Sequence, residues 1–579
     1  MVTAILYAFR SISFNTICVD NESELEKEDF GTNDTIDTSM TVELISSDAT
    51  ASKGSTGERF SGAKVRTYKP DLNVKGLFSQ AEEDPFKRFF SGHTQKVPTC
   101  LQWAVVTTIF EPNESIIGTA NLKNWCIVIV GDLKTPDEAY AELQKQDNVL
   151  YLSATLQKEM LEDPASTFMQ HIPWNGFARK NIGFVLAVSY GAKVIYDFDD
   201  DNVLVPLEDE STIPPPFFYK EDVGLEESVL LKYISDEYLD KVIEEKAFNP
   251  FPFMNPEHFH SWPRGYPVEM LGDNFGKWPF IQENLDKITV PGNMKYSSIG
   301  VIQSLCNKDP DNDSIFRLSR FQSTQFHFDR SPSSLPLLIP STVYSPFNAQ
   351  ATTHLYNAFW GLYLPLSVAG RVTDIWRSFI TQRLMRYIGL RVLYTPPIVT
   401  HERTAHDYLA DFSAESDVFL RTSKLHLFLD DWSPETAETL PEMIYELYIG
   451  LYEHDYVGLA DVETMKQWLH TLVAIGYQFP VIDTAQTPAL PQIQPSIGGQ
   501  PYRSYPYFNT NGEGKTYEQF KKEDESKEFD QWLSTVNWDT RPDSAVAKII
   551  LMTMNEWPLL KSWVLVSHMY EHLQSFCFV

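Results

Sequence analysis

Four carboxylates lie within five residues of the sequence, at Asp197, Asp199, Asp200 and Asp201, directly after the apolar run 194–196. Like charges this close repel one another unless a cation or water screens them. Because side chains alternate along a strand, Asp197 and Asp199 should point to the same side of it. This pair could hold a hard divalent cation through oxygen ligands, with a diphosphate completing the coordination. The alternative is a solvated acidic turn.

A predicted helix precedes the acidic run. Ile182, Val185 and Leu186 recur at helical spacing, and Arg179 and Lys180 stand at the start of this pattern, where the helix dipole disfavours cations. The two cations are therefore either aimed at an anion or solvated at the surface.

The wider chain predicts an α/β architecture with a parallel sheet. Buried-type strands are predicted at Gln102–Ile109, Trp125–Val130 and Val149–Ser153. Between the second and third strands, Thr135 and Glu138 form a predicted capping box and Pro136 occupies the first helical position, which predicts a helix there. Alternation of this kind places ligands beyond the carboxyl ends of the strands. The acidic run lies at such an end.

Composition restricts the partners. The 579 residues exceed one ordinary core, so two or three domains are expected. A formal net charge of -31 argues against a nucleic-acid partner. The five cysteines contain no Cys-x-x-Cys pair, so they predict neither a metal finger nor a disulfide framework, although one bridge in an oxidising lumen stays open.

The N-terminal region, residues 1–96, is predicted to be a disordered acidic tail or stem, because Ser, Thr, Asp and Glu dominate it and large apolar residues are few. The apolar run Ala4–Phe9 is too short for a membrane span, so the sequence contains no clear membrane anchor.

Beyond residue 400 the character of the chain changes. Residues 401–480 are predicted to be helical and to serve packing, residues 481–515 are predicted to be a Pro/Gly linker, and residues 516–579 resemble the start of a second, truncated module. The predicted helices are Thr422–Trp432, Ser433–Tyr452 and Val462–Ile475.

Four further side chains have binding chemistry. Trp262 and Arg264 could offer an aromatic face to a sugar and a guanidinium to a phosphate, or they could form a rigid Pro-Gly turn. Asn348 and Gln350 suit sugar hydroxyls but could equally satisfy the backbone of a buried loop.

Seven blocks of the sequence occur in the order of a known family. They are Phe177–Phe184, Ala192–Asp200, Phe248–Phe253, Ser261–Gly265, Asp309–Leu318, Ser345–Gln350 and Arg371–Arg377. Together they resemble the STELLO glycosyltransferases. The chain is more distantly similar to the reversibly glycosylated polypeptides, which are UDP-arabinopyranose mutases.

The resemblance implies a GT-A-like, Rossmann-type nucleotide-sugar-binding domain over residues 97–400, with a helical C-terminal region. It further implies Mn²⁺ or Mg²⁺ at Asp197, Asp199 and Asp200, a UDP- or GDP-linked sugar donor and a glycan or glycoprotein acceptor. By resemblance the location is the Golgi, with association with Golgi membrane proteins.

The resemblance also marks Asp374 as the candidate catalytic base, because GT-A enzymes usually carry that carboxylate well downstream of the Asp-x-Asp. Such a base takes the proton of the acceptor hydroxyl. Arg371 and Arg377 flank it and could bind the diphosphate, or could hold Asp374 ionised in a structural ion pair.

Two alternative functions stay open. One is a nucleotide-sugar mutase, although Val268–Leu271 stands where those enzymes carry a sugar-accepting arginine. The other is a non-catalytic scaffold or trafficking partner of a polysaccharide synthase. The presence of Asp197, Asp199 and Asp374 favours catalysis.

Overall fold

A large mixed β-sheet organises the chain, as seen in a computed structural model. The structure describes residues 64–482 except 71, 80–82, 163–166, 206–227, 244, 256–258, 320–333 and 402–406, and the backbone of 494–495. Within these residues the sheet has twelve strands, β1 Gln102–Thr108, β2 Trp125–Gly131, β3 Val149–Leu152, β4 Val194–Asp197, β5 Asn202–Leu204, β6 Ser228–Ile234, β7 Thr289–Lys295, β8 Ile299–Lys308, β9 Leu337–Leu338, β10 Thr352–Leu355, β11 Arg391–His401 and β12 Gln494–Pro495.

Helices cover the sheet and form the region that follows it. The described α-helices are α1 Pro85–Ser91, α2 Glu114–Ala120, α3 Ala154–Leu161, α4 Thr167–Gln170, α5 Lys180–Ser189, α6 Asp236–Val242, α7 Phe251–Met254, α8 Leu271–Gly276, α9 Trp278–Ile288, α10 Ser314–Ser319, α11 Gly370–Met385, α12 Tyr408–Ala414, α13 Ser416–Asp431, α14 Leu440–Glu453 and α15 Leu459–Ala474. The α/β class predicted from the sequence is confirmed.

One half of the sheet is Rossmann-like. Strands β3, β2, β1 and β4 are adjacent in that order and parallel. Their residues are almost all buried, as expected for strands covered on both faces. Helix α5 presses against this half at Gly183, where an added Cβ would lie 2.7 Å from Val105 and 2.9 Å from Val130. A glycine is therefore required for the close approach.

The other half brings three strand ends to the same edge. Strand β10 is antiparallel to both β4 and β8, so β4 and β8 run in the same direction. Strand β11 is parallel to β8 and ends at His401. The carboxyl ends of β4, β8 and β11 therefore lie at one edge of the sheet, where Asp197, Lys308 and His401 end their strands.

The predicted N-terminal tail differs from the structure over residues 64–96. Four apolar side chains of this segment are buried, namely Val74, Phe78, Phe86 and Phe90. The backbone N–H of Val65 donates to Glu453 O at 2.9 Å, which ties the segment to helix α14. The boundary at residue 96 is therefore too late, because a few well-spaced aromatics supply apolar surface that the average composition hides. Residues 1–63 lie outside the described part of the chain.

Two other local predictions are corrected. The Thr135 hydroxyl donates to Thr108 O and accepts from Asp132 N, both at 2.7 Å, and short 3₁₀ turns replace the expected helix. Helix α14 begins after Thr439, whose capping box with Glu442 replaces the expected cap at Ser433. The linker prediction beyond residue 482, apart from the 494–495 backbone, and the module predicted at 516–579 lie outside the described residues.

One disulfide joins Cys100 to Cys126, with Cα atoms 5.8 Å apart. It links the segment before β1 to the start of β2, which realises the single bridge that the cysteine count left open. Among the described residues, no helix is both long enough and apolar enough to span a membrane.

Candidate functional site

Asp197, predicted to bind a metal, is fully buried between two cations of the chain. Its Oδ1 accepts from Lys180 Nζ at 2.9 Å and its Oδ2 accepts from Arg377 Nη1 at 2.9 Å. Both carboxylate oxygens are therefore engaged, and the charge is compensated from within the protein. Asp197 therefore has no open oxygen for a metal ion in this structure, and its role as a ligand stays a prediction.

Lys180 connects Asp197 to the next acidic residue. Its Nζ also donates to Asp199 Oδ1 at 3.0 Å and to Phe198 O at 2.8 Å. Burial alone would lower the pKa of Lys180, but Asp197 and Asp199 together raise it above its ordinary value. The anion that Lys180 faces is thus the acidic run itself. Lys180 lies in the site, but its ammonium group is already occupied by these internal acceptors.

Arg179 lies elsewhere. Its side chain is buried, donates from Nε to Gln157 Oε1 at 3.0 Å and from Nη1 to Ile172 O at 3.2 Å, and lies 3.5 Å from the ring centroid of Trp174. Burial lowers its pKa to about 10. The structure does not bring Arg179 to the acidic run, because successive side chains on a helix point about 100° apart and, of the two cations, Lys180 faces the strand ends. Its predicted contact with a nucleotide stays a prediction.

Asp199 is one of two members of the predicted metal set that are only partly buried, the other being Asp200. The Asp199 side chain is 34% exposed. Burial of the remainder raises its pKa to about 7, with Asp201 adding to the rise and Lys180 opposing it. Its one hydrogen-bonded oxygen in the described structure is Oδ1, so Oδ2 can accept a further partner.

Asp200 is held by a neighbouring strand. The Thr108 hydroxyl, at the end of β1, donates to Asp200 Oδ2 at 2.5 Å, and Asn113 Nδ2 donates to the Asp200 carbonyl at 2.5 Å. Burial raises the pKa of this carboxyl. These contacts anchor the loop after β4, so the main role of Asp200 is to fix the conformation of the acidic run.

Asp201 pairs with a histidine that sequence reasoning missed. His401 Nε2 lies 2.9 Å from Asp201 Oδ2, and His401 Nδ1 lies 2.6 Å from Asp309 O. Because a carbonyl can only accept, Nδ1 donates, and a second proton must lie between Nε2 and Oδ2. Burial opposes protonation of His401, but the hydrogen bond to Asp201 raises its pKa. The only sequence signal was a histidine ending a strand.

Asp201 is also partly open, with its side chain 33% exposed, and its second oxygen, Oδ1, accepts from Asn202 Nδ2 at 2.8 Å. Asp199 and Asp201 therefore form the exposed Asp-x-Asp, two residues later than the predicted pair. Lys180 fixes the first carboxylate and His401 fixes the second.

A second carboxylate cluster surrounds Arg264. Its Nε donates to Asp311 Oδ1 at 3.0 Å, and its Nη2 donates to Asp374 Oδ2 at 2.9 Å. Asp374 also accepts from the backbone N–H groups of Ala349 at 3.1 Å and Ile375 at 3.0 Å. Arg264 holds the pKa of Asp311 far below its usual range, although burial opposes this shift.

Asp374, the predicted catalytic base, is thus buried and fully hydrogen-bonded. It occupies a structural ion pair, the alternative considered from the sequence, but its partner is Arg264 and neither of the flanking arginines. Arg377 binds Asp197, and Arg371 Nη2 binds Glu415 Oε1 at 2.6 Å. Arg264, Arg371 and Arg377 thus form internal pairs in this structure, and their predicted contact with a nucleotide stays a prediction.

The remaining predicted binding residues are structural in the same way. Trp262 is fully buried and donates from Nε1 to Asp313 Oδ2 at 2.6 Å, so its face is not open to a sugar. Asn348 Nδ2 donates to Asp311 Oδ2 at 2.7 Å, and the Gln350 backbone N–H donates to Asn348 Oδ1 at 3.0 Å. Both residues stabilise a buried loop, which is the alternative that the sequence left open for them.

A small pocket lies against this cluster, lined in part by Arg264, Asp311, Asn348 and Cys306. It offers about 20 Å³, which is room for roughly one water molecule. A sugar nucleotide would therefore need the open edge at Asp199 and Asp201.

The acidic run fits a divalent cation only at that edge. Across the described ranges, no group of three or more His, Cys, Asp or Glu side chains could hold a metal ion by itself. Mg²⁺ and similar ions, however, are often bound by one or two carboxylates together with substrate phosphates and water. Asp199, whose Oδ2 can accept a further partner, and Asp201, which is partly exposed, lie where such an ion could be bound, whereas Asp197 is fully buried.

The family model described as STELLO glycosyltransferases matches residues 371–494, which include Asp374, Arg377 and His401. The chain is a relative of the STELLO glycosyltransferases. This confirms the family predicted from the sequence blocks.

Two curated STELLO proteins of Arabidopsis thaliana are similar to this chain. "Probable glycosyltransferase STELLO1" is 27% identical over 388 residues, covering 66% of this chain and 45% of the relative. "Probable glycosyltransferase STELLO2" is 26% identical over 417 residues, covering 71% of this chain and 49% of the relative. The chain therefore spans about half the length of these STELLO relatives.

Proposed function

We propose that this chain transfers a glycosyl group from a UDP- or GDP-linked sugar to a glycan or glycoprotein acceptor. The STELLO relationship supports the reaction class. The observation that carries the proposal is the pair Asp199 and Asp201, two partly exposed carboxylates at the carboxyl end of a Rossmann-like half sheet. Ligands of open α/β sheets bind at that edge.

The two carboxylates would hold Mn²⁺ or Mg²⁺ together with the donor diphosphate. A divalent cation bound there would neutralise the negative charge that develops on the leaving nucleoside diphosphate. The chain's own contribution is to fix the two ligands. Lys180 Nζ holds Asp199 Oδ1 at 3.0 Å, and His401 Nε2 holds Asp201 Oδ2 at 2.9 Å.

The Arg264 cluster is connected to the acidic run by hydrogen bonds. Arg377 donates from Nη1 to Asp197 Oδ2 at 2.9 Å and from Nη2 to Asn348 O at 3.0 Å. The side chain of Asn348 in turn donates to Asp311. The loop after β8, the loop before β10 and helix α11 are thereby connected to the acidic run. Such a rigid surrounding keeps metal ligands in position.

Calorimetric titration with UDP and with GDP tests the proposal. Affinity should be measurable with Mn²⁺ and should fall when Mn²⁺ is replaced by excess chelator, because bare diphosphate is repelled by the acidic run. Asp199→Asn should remove most of the Mn²⁺-dependent affinity without unfolding the chain. Asp417→Asn on α13, a carboxylate near the surface that pairs with Arg421, is the matched control and should bind like the parent. Equal affinities with metal and with chelator would reject the metal assignment.

A second candidate, a non-catalytic scaffold or trafficking partner, is favoured by one observation. Lys180, Arg377 and His401 compensate most of the acidic run without any ligand. The fold could therefore keep this motif while binding nothing there. A folded parent protein that binds neither nucleotide in the presence of Mn²⁺ would favour this candidate.

We further propose a Golgi or other secretory-pathway location. The Cys100–Cys126 disulfide supports it, since such bridges persist mainly in oxidising compartments. Localisation of the tagged full chain by microscopy, with organelle markers, tests this part of the proposal.

A further inference from the structure

A second pocket lies at the opposite end of β11 from His401. It is lined by Arg391, the first residue of β11, and by Arg386, which caps the end of α11. Most of the other walls are apolar, including Ile339, Val343 and Leu390. This end of the strand is remote from the acidic run, so the pocket is separate from the proposed active site.

Arg391 is a buried cation with unusually few partners. Its side chain is about nine-tenths buried, at 8% exposure, and Nη2 donates to Ile339 O at 2.9 Å. Its buried Nε has no hydrogen-bond acceptor within the part of the chain that the structure describes. In the same described residues it forms no ion pair. Burial lowers the pKa of Arg391 to about 10, and Asp236, which opposes this shift, is exposed.

The other buried arginines show what is missing. Arg264 binds two carboxylates, and Arg377 binds Asp197 and two backbone carbonyls. Arg179 forms no ion pair among the described residues, but it donates to Gln157 and to two backbone carbonyls and stacks on the Trp174 ring. A buried charge without such compensation is strongly unfavourable. Among the described residues, Arg391 has neither a carboxylate partner nor a comparable set of acceptors.

Arg386 adds a second donor to the same pocket. Its charge is balanced by Asp430, with Nη1 and Oδ1 2.6 Å apart, and Asp430 also pairs with Lys246 at 3.0 Å. The buried Nε of Arg386 nevertheless has no acceptor among the described residues. Two N–H groups from different elements thus lack acceptors in residues that line one pocket.

The size of the pocket limits its ligand. Its volume is about 20 Å³, which admits one water-sized group and excludes a sugar or a nucleotide. A water molecule could accept one hydrogen bond, but only an anion also compensates the charge of Arg391. The C-terminal dipole of α11 opposes an anion, but it amounts to about half an elementary charge against the full charge of Arg391.

We propose that this pocket binds one small monovalent anion of the chloride class, held between Arg391 and Arg386. The bound anion accepts from their Nε groups and compensates the buried guanidinium. It thereby stabilises the turn that joins α11 to β11 and the backbone at Ile339. The site is independent of the proposed glycosyl transfer.

Thermal unfolding of the full chain tests the site, with chloride compared to gluconate at equal sodium concentration and ionic strength. Chloride at ten times its dissociation constant should raise the midpoint of the parent by about 2 °C. Arg391→Met should abolish this chloride response. Arg383→Met is the matched control, because Arg383 lies on the same helix and donates to Trp432 O at 2.6 Å and Tyr387 Oη at 2.9 Å. The Arg383→Met variant should have a lower thermal midpoint than the parent by the same amount in both salts, and chloride should still raise its midpoint relative to gluconate.

An unchanged midpoint of the parent between the two salts, or a chloride response that survives in Arg391→Met, would overturn the proposal. If Arg391→Met does not fold, parent crystals soaked in bromide decide the question. An anomalous peak between the guanidinium groups of Arg391 and Arg386 is the expected result. A peak-free pocket would show that water alone occupies it and would refute the anion site.

Discussion

Two groups of carboxylates lie at the same edge of the sheet but differ in what reaches solvent. In the acidic run, Asp199 and Asp201 are each held by one cation and remain about one-third exposed. In the Arg264 cluster, Asp311 and Asp374 are nearly buried, with side chains 14% and 6% exposed, and their oxygens receive several donors. Carboxylate density alone therefore does not locate a ligand site. Solvent exposure of the carboxylates does.

The largest expected effect comes from removing the cation of the Arg264 cluster. Arg264→Met leaves Asp311 and Asp374 buried without their shared counter-charge and should lower the free energy of unfolding by about 3–5 kcal/mol. Urea denaturation measures the change. Arg421→Met, which removes a partly exposed arginine from α13, should cost less than about 1 kcal/mol. Similar losses for both variants would contradict a structural role for the cluster.

Asp374→Asn tests the predicted catalytic base directly. Because Asp374 pairs with buried Arg264, the change should lower the free energy of unfolding by about 3 kcal/mol while nucleotide affinity stays nearly intact. Chemical denaturation and calorimetry on the same sample give the two numbers. A variant as stable as the parent, whose transfer rate is reduced about a hundredfold or more, would restore Asp374 as the base.

Asp313 should make stability depend on pH. Burial raises its pKa to about 7, and the nearby carboxylate of Glu415 adds to the rise. Since the folded state binds the proton more tightly than the unfolded state, stability should fall as pH rises from about 4 to about 7 and level off above. Asp313→Asn should flatten this part of the profile, measured as the thermal midpoint against pH. An identical slope in parent and variant would assign the dependence to other groups.

His401→Asn probes the support of the exposed pair. Loss of the contact to Asp201 should weaken Mn²⁺-dependent nucleotide binding by about 10- to 100-fold, the usual effect of removing a group that orients a metal ligand. The thermal midpoint should change little more than in His93→Asn, a partly exposed histidine control beside Glu159. Calorimetry with both variants makes the comparison. Unchanged affinity in His401→Asn would mean that Asp201 needs no orientation.

The sequence predicted the Rossmann-like half well, because period and apolar runs are local signals. Strands β1 to β4 begin and end within about two residues of their predicted bounds, and the acidic run ends β4 as expected. Lys180, predicted to face an anion of the nucleotide, lies near the strand ends and contacts the carboxylates of Asp197 and Asp199.

The site itself depended on contacts that no local pattern contains. Asp374 meets Arg264 across 110 positions, and His401 meets Asp201 across 200. Arg179 and Lys180 look equivalent in sequence, yet Arg179 stacks on Trp174 in the core and Lys180 binds Asp197. The shift from Asp197 to Asp201 has the same origin, because the sequence cannot show which carboxylates the interior has already compensated.

One crossed measurement tests the central claim that the acidic run binds ligand while the Arg264 cluster only stabilises the fold. UDP or GDP, whichever the parent binds, is titrated with Mn²⁺ into Asp199→Asn and Asp374→Asn, and the thermal midpoint of each sample is recorded. We expect Asp199→Asn to lose most of the affinity and keep its midpoint, and Asp374→Asn to keep the affinity and lose midpoint. Loss of affinity in Asp374→Asn with Asp199→Asn unaffected would contradict the assignment of the two regions.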